Sequence, residues 1–283
     1  MGPIAALIAI VMWGALAVLG VSLAHVPPFL LTGASLAIGG LLTLPKWRSW
    51  ALPLKTILLG VYGLFGFHFL LFMALRHAPP IEANLINYLW PLLIVLLTPL
   101  FFPGMHLQPV HWLAALAGGA GAVLAIMGGK QIGWSGSVVG YLCAACSAVV
   151  WATYSLGIRK VRPFPTAAVG GICLISAALS LLCHLLFEPA VTLSTVDMGH
   201  IVLLGIGPMG TAFYLWDWAM KQSDPRKIGV LANLTPVFST VMLHLYTGRT
   251  LSMNMAIAAL LISGAALMVW WFGQSRSTPA KAA

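Results

Sequence analysis

Two stretches of this chain repeat each other inside segments too apolar to face water. Residues 58–100 align without a gap on residues 203–245. Pro91 then meets Pro236, Pro80 meets Pro225, Gly60 meets Gly205, Ala74 meets Ala219 and Arg76 meets Lys221. Matched leucines carry little weight in a leucine-rich chain. Matched prolines carry more, because a proline in a helix interior removes a hydrogen bond and crowds the preceding turn. Two halves that each break a helix at one depth point to a transporter, with its site at the interface between repeats.

The surroundings of the repeat decide the solvent. The chain is 60% hydrophobic and 7% charged, with a mean hydropathy of +0.99. A soluble domain carries about 25% charge, so a water-soluble globule is excluded and the partner of most side chains is the lipid bilayer. The net charge of +9 sits between apolar runs. That placement fits loops facing anionic lipid and argues against nucleic-acid binding. Cys143, Cys146, Cys173 and Cys183 all lie in apolar runs and read as small core residues. Cys143 and Cys146 have metal or redox spacing, but no second pair completes a site, and no metal or other cofactor is expected. The first run lacks the basic start of a signal peptide and reads as a first span.

A membrane helix needs about 20 mostly apolar residues. Ten stretches qualify: 3–21, 28–45, 54–76, 81–102, 109–128, 136–158, 166–187, 199–221, 227–246 and 253–273. Prolines punctuate the breaks. With the N-terminus inside, every Lys and Arg except Arg76, Lys130 and Arg249 falls on the cytoplasmic side, which satisfies the positive-inside rule. The expected fold is an all-α integral membrane protein of ten transmembrane helices with both termini cytoplasmic. Five spans per half force the second half to enter the membrane from the opposite side. The halves, 1–130 and 131–274, are then inverted repeats, followed by a disordered tail at 275–283. Such a pair offers two similar ways to open, one to each side.

Polar groups are expensive in hydrocarbon and mark candidate sites. In the fourth span Asn84, Asn87, Tyr88 and Pro91 share one helical face, flanked by Trp90. Pro91 frees the carbonyl of Asn87. Amides, a phenol and an indole around a free carbonyl can grip a zwitterion with an aromatic or apolar side chain; alternatively the asparagines hydrogen-bond across helices. In the ninth span the matching residues are Gly229, Ala232, Asn233 and Pro236, the same kink with less bulk. Trp13 and Trp151 occupy similar places in the first and sixth spans, with Tyr154 nearby, and either wall an aromatic cavity or pack the core. His68 is the most central ionisable group; it can bind a carboxylate, donate to a carbonyl or relay a proton. In the eighth span Tyr214 is a candidate contact. Asp217 is either a gate charge or half of an ion pair with Lys221, four residues on. Glu82 reads as a helix cap. Pro91 and Pro236 are the expected hinges.

The run Ala9-Ile-Val-Met-Trp13, the run Ile81-Glu82 to Asn87-Tyr-Leu-Trp-Pro91, and Val150-Trp-Ala-Thr-Tyr154 resemble the EamA-type branch of the drug/metabolite transporter superfamily. The resemblance covers nearly the whole chain. It implies an inner-membrane location, a central cavity between two inverted five-helix halves, and export of amino acids, aromatic ones above all, with threonine and methionine as further substrates. Small multidrug members keep an essential Glu in the first span; this chain has none there, which argues against proton-coupled cation export. A nucleotide-sugar or phosphosugar carrier would want basic residues deep in the cavity, and none is present. No sequence motif supports an intramembrane enzyme. No obligate protein partner is expected.

Overall fold

A computed structural model describes residues 1–78, 83, 86–127, 137–247 and 253–272, and every regular element among them is helical. The expected cap Glu82, and Asn84 beside it, lie outside the described residues. Helix α1 is Gly2–Gly14 continued by Leu16–Ser22, and α2 is Pro28–Leu41. Then come α3 (Leu54–His77), α4 (Trp90–Phe101), α5 (Pro109–Met127) and α6 (Val138–Gly157). The chain continues through α7 (Thr166–Phe187) and α8 (Thr195–Gln222). Helix α9 runs over 225–247 with a break at Asn233, and α10 is Met253–Phe272. Among the described residues, five helices are long and apolar enough to cross a membrane. A sixth joins them if α2 is counted with the 3-10 segment Leu44–Trp50, which leaves it at 91°.

Several local breaks recur at the spacing read from the sequence. Helix α3 opens into a π-helical turn at Tyr62–Gly66, and α8 does the same at Gly207–Thr211. Each resumes one residue later, at Phe67 and Ala212, and ends eleven residues on, at His77 and Gln222. Turns at Tyr88 and Asn233 interrupt the helix just before Pro91 and Pro236. A π turn leaves a carbonyl out of the regular ladder, and such turns gather at functional sites. In α8 Trp13 Nε1 donates to the Pro208 carbonyl at 3.1 Å; in α3 His68 Nδ1 lies 2.6 Å from the Leu64 carbonyl. Both halves thus satisfy the widened turn with an aromatic ring nitrogen.

The packing follows from small residues. Helix α2 lies along α7, where a Cβ on Gly40 would come within 2.8 Å of the Gly170 carbonyl. Helix α5 lies along α10 through Ala114, Ala115 and Ala265. Helix α4 crosses α9 near their breaks, with Gly229 against the Pro91 carbonyl. Helix α3 packs on α6 and α8 on α1. Gly63 lets the Tyr154 ring lie flat on α3, closer than any Cβ would permit. Helix α1 is central: Ala5, Ala6, Ala9, Ile10 and Trp13 are all buried. The cysteines correct the expectation of core positions. Cys173 is buried, but Cys146 is exposed on the helix surface.

Charge sorts to the two ends of the bundle. At one end Arg159 Nη1 donates to the Ser223 carbonyl at 2.6 Å, and Arg226 Nη1 to the His106 carbonyl at 2.6 Å. Burial pushes the Asp224 carboxyl up, but hydrogen bonds from the Arg226 side chain and backbone outweigh it and hold the group below its ordinary value. That stabilisation is present above the unfolded carboxylate pKa and is lost only as pH falls through the lower folded one. At the other end the Glu188 carboxylate, with no exposed surface, accepts from the Phe29 and Leu30 amides at 3.0 to 3.2 Å. Arg76 Nη2 donates to it at 3.0 Å and His184 Nδ1 lies 3.1 Å away. One carboxylate therefore caps α2, closes α7 and anchors α3, where an acid at a helix N-terminus is favoured.

Glu188→Ala leaves buried amides without an acceptor, a cost of about 1–3 kcal/mol. It should lower the melting temperature of the detergent-solubilised protein clearly more than Glu188→Gln, which keeps an acceptor oxygen. Thermal unfolding of the two variants side by side checks this.

Candidate functional site

Four buried tryptophans meet at the centre of the bundle, each from a different helix: Trp13 on α1, Trp90 on α4, Trp151 on α6 and Trp216 on α8. Every pair among them is in ring contact, with centroids from 5.1 Å for Trp13–Trp216 to 6.4 Å for Trp151–Trp216. Phe67, Tyr154 and Phe213 extend the cluster, at 5.1, 5.5 and 5.8 Å from Trp151. Most of these contacts are edge-on or tilted, the geometry that ring quadrupoles favour. Trp216 is fixed by a 3.0 Å bond from its Nε1 to Ser155 Oγ, and Trp13 by its bond to Pro208. Two indole N–H groups are therefore already satisfied, and those rings offer faces and edges rather than donors.

His68 joins the rim of this cluster, 5.0 Å from Phe67 and 6.2 Å from Phe213 between ring centroids. A carbonyl only accepts, so the contact with Leu64 places the proton on Nδ1 and makes Nε2 of the neutral ring an acceptor. His68 and Phe213 stand at equivalent positions of the aligned repeat, as Trp13 and Trp151 do by similarity of surroundings, and each pair touches. The two halves meet through matching residues at this point.

The remaining candidates do other work in the structure. Asn87 is buried and accepts from Ser147 Oγ at 2.8 Å, a bond from the helical residues before α4 to α6, of the interhelical kind weighed from the sequence. Tyr88 is half-buried beside the break that precedes α4. The Tyr214 hydroxyl donates to the Gly39 carbonyl at 2.7 Å and so pins α8 to α2. Asn233 donates from Nδ2 to the Val230 carbonyl at 3.2 Å and packs on Gly118 of α5, while its buried Oδ1 has no hydrogen-bond partner among the described residues. Asp217 forms the ion pair with Lys221, 2.7 Å from Nζ to Oδ2, and also accepts from Thr166 Oγ1 at 2.7 Å. Lys221 Nζ donates in turn to the Phe164 carbonyl and lies 3.4 Å from that ring's centroid. The pair closes the start of α7 onto the end of α8. Pro91 is buried at the start of α4, and Pro236 lies in the first turn after the α9 break.

Of the sequence candidates, Trp13, Trp90, Trp151 and Tyr154 come together in this cluster, with His68 at its rim. Sequence reasoning passed over Trp216, Phe213 and Phe67. The spacing of Phe213 and Trp216, three residues apart on one helical face, carried the signal, but the neighbouring acid Asp217 drew the reading instead. Among the described residues no group of His, Cys, Asp or Glu is arranged to hold a metal ion.

The chain belongs to the EamA-like transporter family, whose model matches it twice, over residues 1–127 and 138–271. It is 44% identical to the aromatic amino acid exporter YddG of Ancylobacter novellus, over 92% of this chain and 93% of that one. It is 25% identical to the aromatic amino acid exporter YddG of Escherichia coli strain K12, over 70% of this chain and 69% of that one. A solved crystal structure superposes with a TM-score of 0.90 at 42% identity, covering 95% of this chain and 98% of that one. The chain is therefore a multi-pass membrane transporter. The transporter names of its relatives point away from an enzyme.

The Asp217 environment gives a directional test. Lys221→Met strands a carboxylate in a buried site, which costs about 3 kcal/mol. Asp217→Asn leaves a partly exposed ammonium and a neutral amide, and should cost less. Thermal unfolding of both single variants and the double variant should show the double variant recovering part of the Lys221→Met loss.

Proposed function

We propose that the protein exports amino acids, chiefly phenylalanine, tryptophan and tyrosine, with threonine and methionine as lesser substrates. It would do so by alternating access between two inverted five-helix halves, 1–130 and 131–274. Both termini would be cytoplasmic, in the inner membrane. The observation that carries this reading is the four-tryptophan cluster, drawn from α1 and α4 of one half and α6 and α8 of the other. An aromatic side chain that replaces one ring contact in such a cluster gains offset and edge-on contacts worth about 0.5–1.5 kcal/mol each beyond the area it buries. The Nε2 of His68 supplies an acceptor for the ammonium group, and the unpartnered Oδ1 of Asn233 a second polar handle. The kinks at Pro91 and Pro236 are the hinges.

Three further observations support the arrangement. Helix packing is preserved when each helix is exchanged for the one five later: α3 on α6 answers α8 on α1, and α2 on α7, α4 on α9 and α5 on α10 map onto themselves. The paired π turns keep the register of the sequence repeat. Of the described Lys and Arg residues, those at 46, 48, 55, 159, 160, 162, 221, 226 and 227 belong to one end of the bundle, and Arg76 to the other. Loop charge of one sign on one side is the signature of a cytoplasmic face.

Counterflow in proteoliposomes tests the reading. Vesicles loaded with unlabelled phenylalanine, tryptophan, threonine, methionine or UDP-glucose should take up the matching labelled amino acids without an ion gradient, and not UDP-glucose. Uptake confined to UDP-glucose would reject it. Trp90→Ala and Trp216→Ala should each reduce phenylalanine and tryptophan counterflow at least about ten-fold, as expected when ring contacts totalling some 1.4 kcal/mol are lost. Threonine uptake should fall less. Equal loss for all three substrates would mean the indoles only hold the fold.

A further inference from the structure

The 3-10 segment Leu44–Trp50 turns 91° from α2, so it lies across the end of the bundle rather than along it. Its two indoles are used differently. Trp50 donates from Nε1 to the Ala167 carbonyl at 3.1 Å and to Thr43 Oγ1 at 3.2 Å. Its ring rests on Gly171, where a Cβ would come within 3.0 Å of it. Trp47 is exposed, with the Arg48 guanidinium 5.8 Å from its ring centroid. An exposed indole on an in-plane segment is the usual mark of the boundary between headgroups and acyl chains.

Beside the fixed Trp50 runs a groove of about 260 Å³, walled by Trp50, Leu52, Ile57, Ile172, Leu174 and Ile175. Its lining side chains are apolar, and the one indole N–H among them is already bonded to Ala167 and Thr43. Lys46, Arg48 and Lys55 flank it in the chain and are exposed. No Asp or Glu occurs in the first 81 residues, and none of these three cations enters an ion pair among the described residues.

An apolar slot beside three unneutralised cations matches a molecule with a long hydrocarbon chain and an anionic head. A free amino acid finds no acceptor there for its ammonium group, and an acidic peptide would leave the slot empty. We propose that this groove binds one anionic phospholipid, an acyl chain lying between α3 and α7 and the phosphate among Lys46, Arg48 and Lys55. Each cation near such a headgroup strengthens binding by about five-fold. The site is separate from the tryptophan cluster, so it stands whatever the transported substrate proves to be.

Native mass spectrometry of the full-length protein in neutral detergent tests it, with phosphatidylglycerol and phosphatidylcholine of identical acyl chains as probes. The protein should retain one phosphatidylglycerol at markedly lower lipid concentration than phosphatidylcholine. The variant K46Q/R48Q/K55Q should lose that preference, and R48Q alone should weaken it about five-fold, which covers the case where the triple variant does not fold. Ile175→Trp fills the slot and should lower retention of both lipids with all three charges intact. Equal retention of the two lipids by the unmodified protein, or a preference that survives R48Q and the triple variant, would overturn the proposal. So would glycerol phosphate binding as well as the intact lipid.

Discussion

Inside a bilayer a backbone carbonyl has no water to bond, so any break in a helix must find a partner within the protein. The centre of this transporter is organised by that constraint. Two π turns, one in α3 and one in α8, each have a carbonyl bonded by a ring nitrogen, that of His68 and of Trp13. Those bonds set the orientation of both rings. Trp13 then touches Trp90, Trp151, Phe213 and Trp216, and His68 touches Phe67, Phe72 and Phe213. The aromatic cluster is thus built outward from the repair of two backbone defects.

Much of this was legible in the sequence because the repeat is gap-free. The alignment of Pro91 with Pro236 located the helix breaks at Tyr88 and Asn233, and Arg76 with Lys221 located matching cations at the ends of α3 and α8. The π turns were not legible. Tyr62–Gly66 and Gly207–Thr211 share only small residues, and nothing in composition distinguishes an i to i+5 turn from an ordinary one. Trp216 was hidden for a different reason: it sits beside Asp217, whose charge was the more conspicuous feature, and the Ser155 bond and its ring contacts place it.

The polar residues were harder than the aromatic ones. Tyr214 suggested a ligand contact, Asn87 a ligand contact or an interhelical bond, and Asp217 a gate charge or an ion pair with Lys221; each is bonded to protein in this structure, through Gly39, Ser147 and Lys221 respectively. A polar group in hydrocarbon needs a partner whether or not it ever meets a ligand. Sequence alone therefore identifies where such groups sit, and names the bond only where the partner is a turn away on the same helix, as Lys221 is for Asp217. Indoles carry less of this ambiguity, since their binding value lies mostly in surface and shape.

The two ends of the bundle are fastened unequally, although the fastening cations are repeat equivalents. Arg76 meets a carboxylate that also accepts from the Phe29 and Leu30 amides and faces His184, whereas Lys221 meets one shared with Thr166 alone. Repeat-equivalent cations thus sit in unequal networks. In the proposed alternating-access cycle, a difference of about 1.4 kcal/mol between the two networks would keep the end bearing Glu188 shut ten times as often as the other. Under the alternating access proposed above, direction of traffic would be a property of unequal clasps, and exchanging them would reverse the bias without altering the tryptophan cluster.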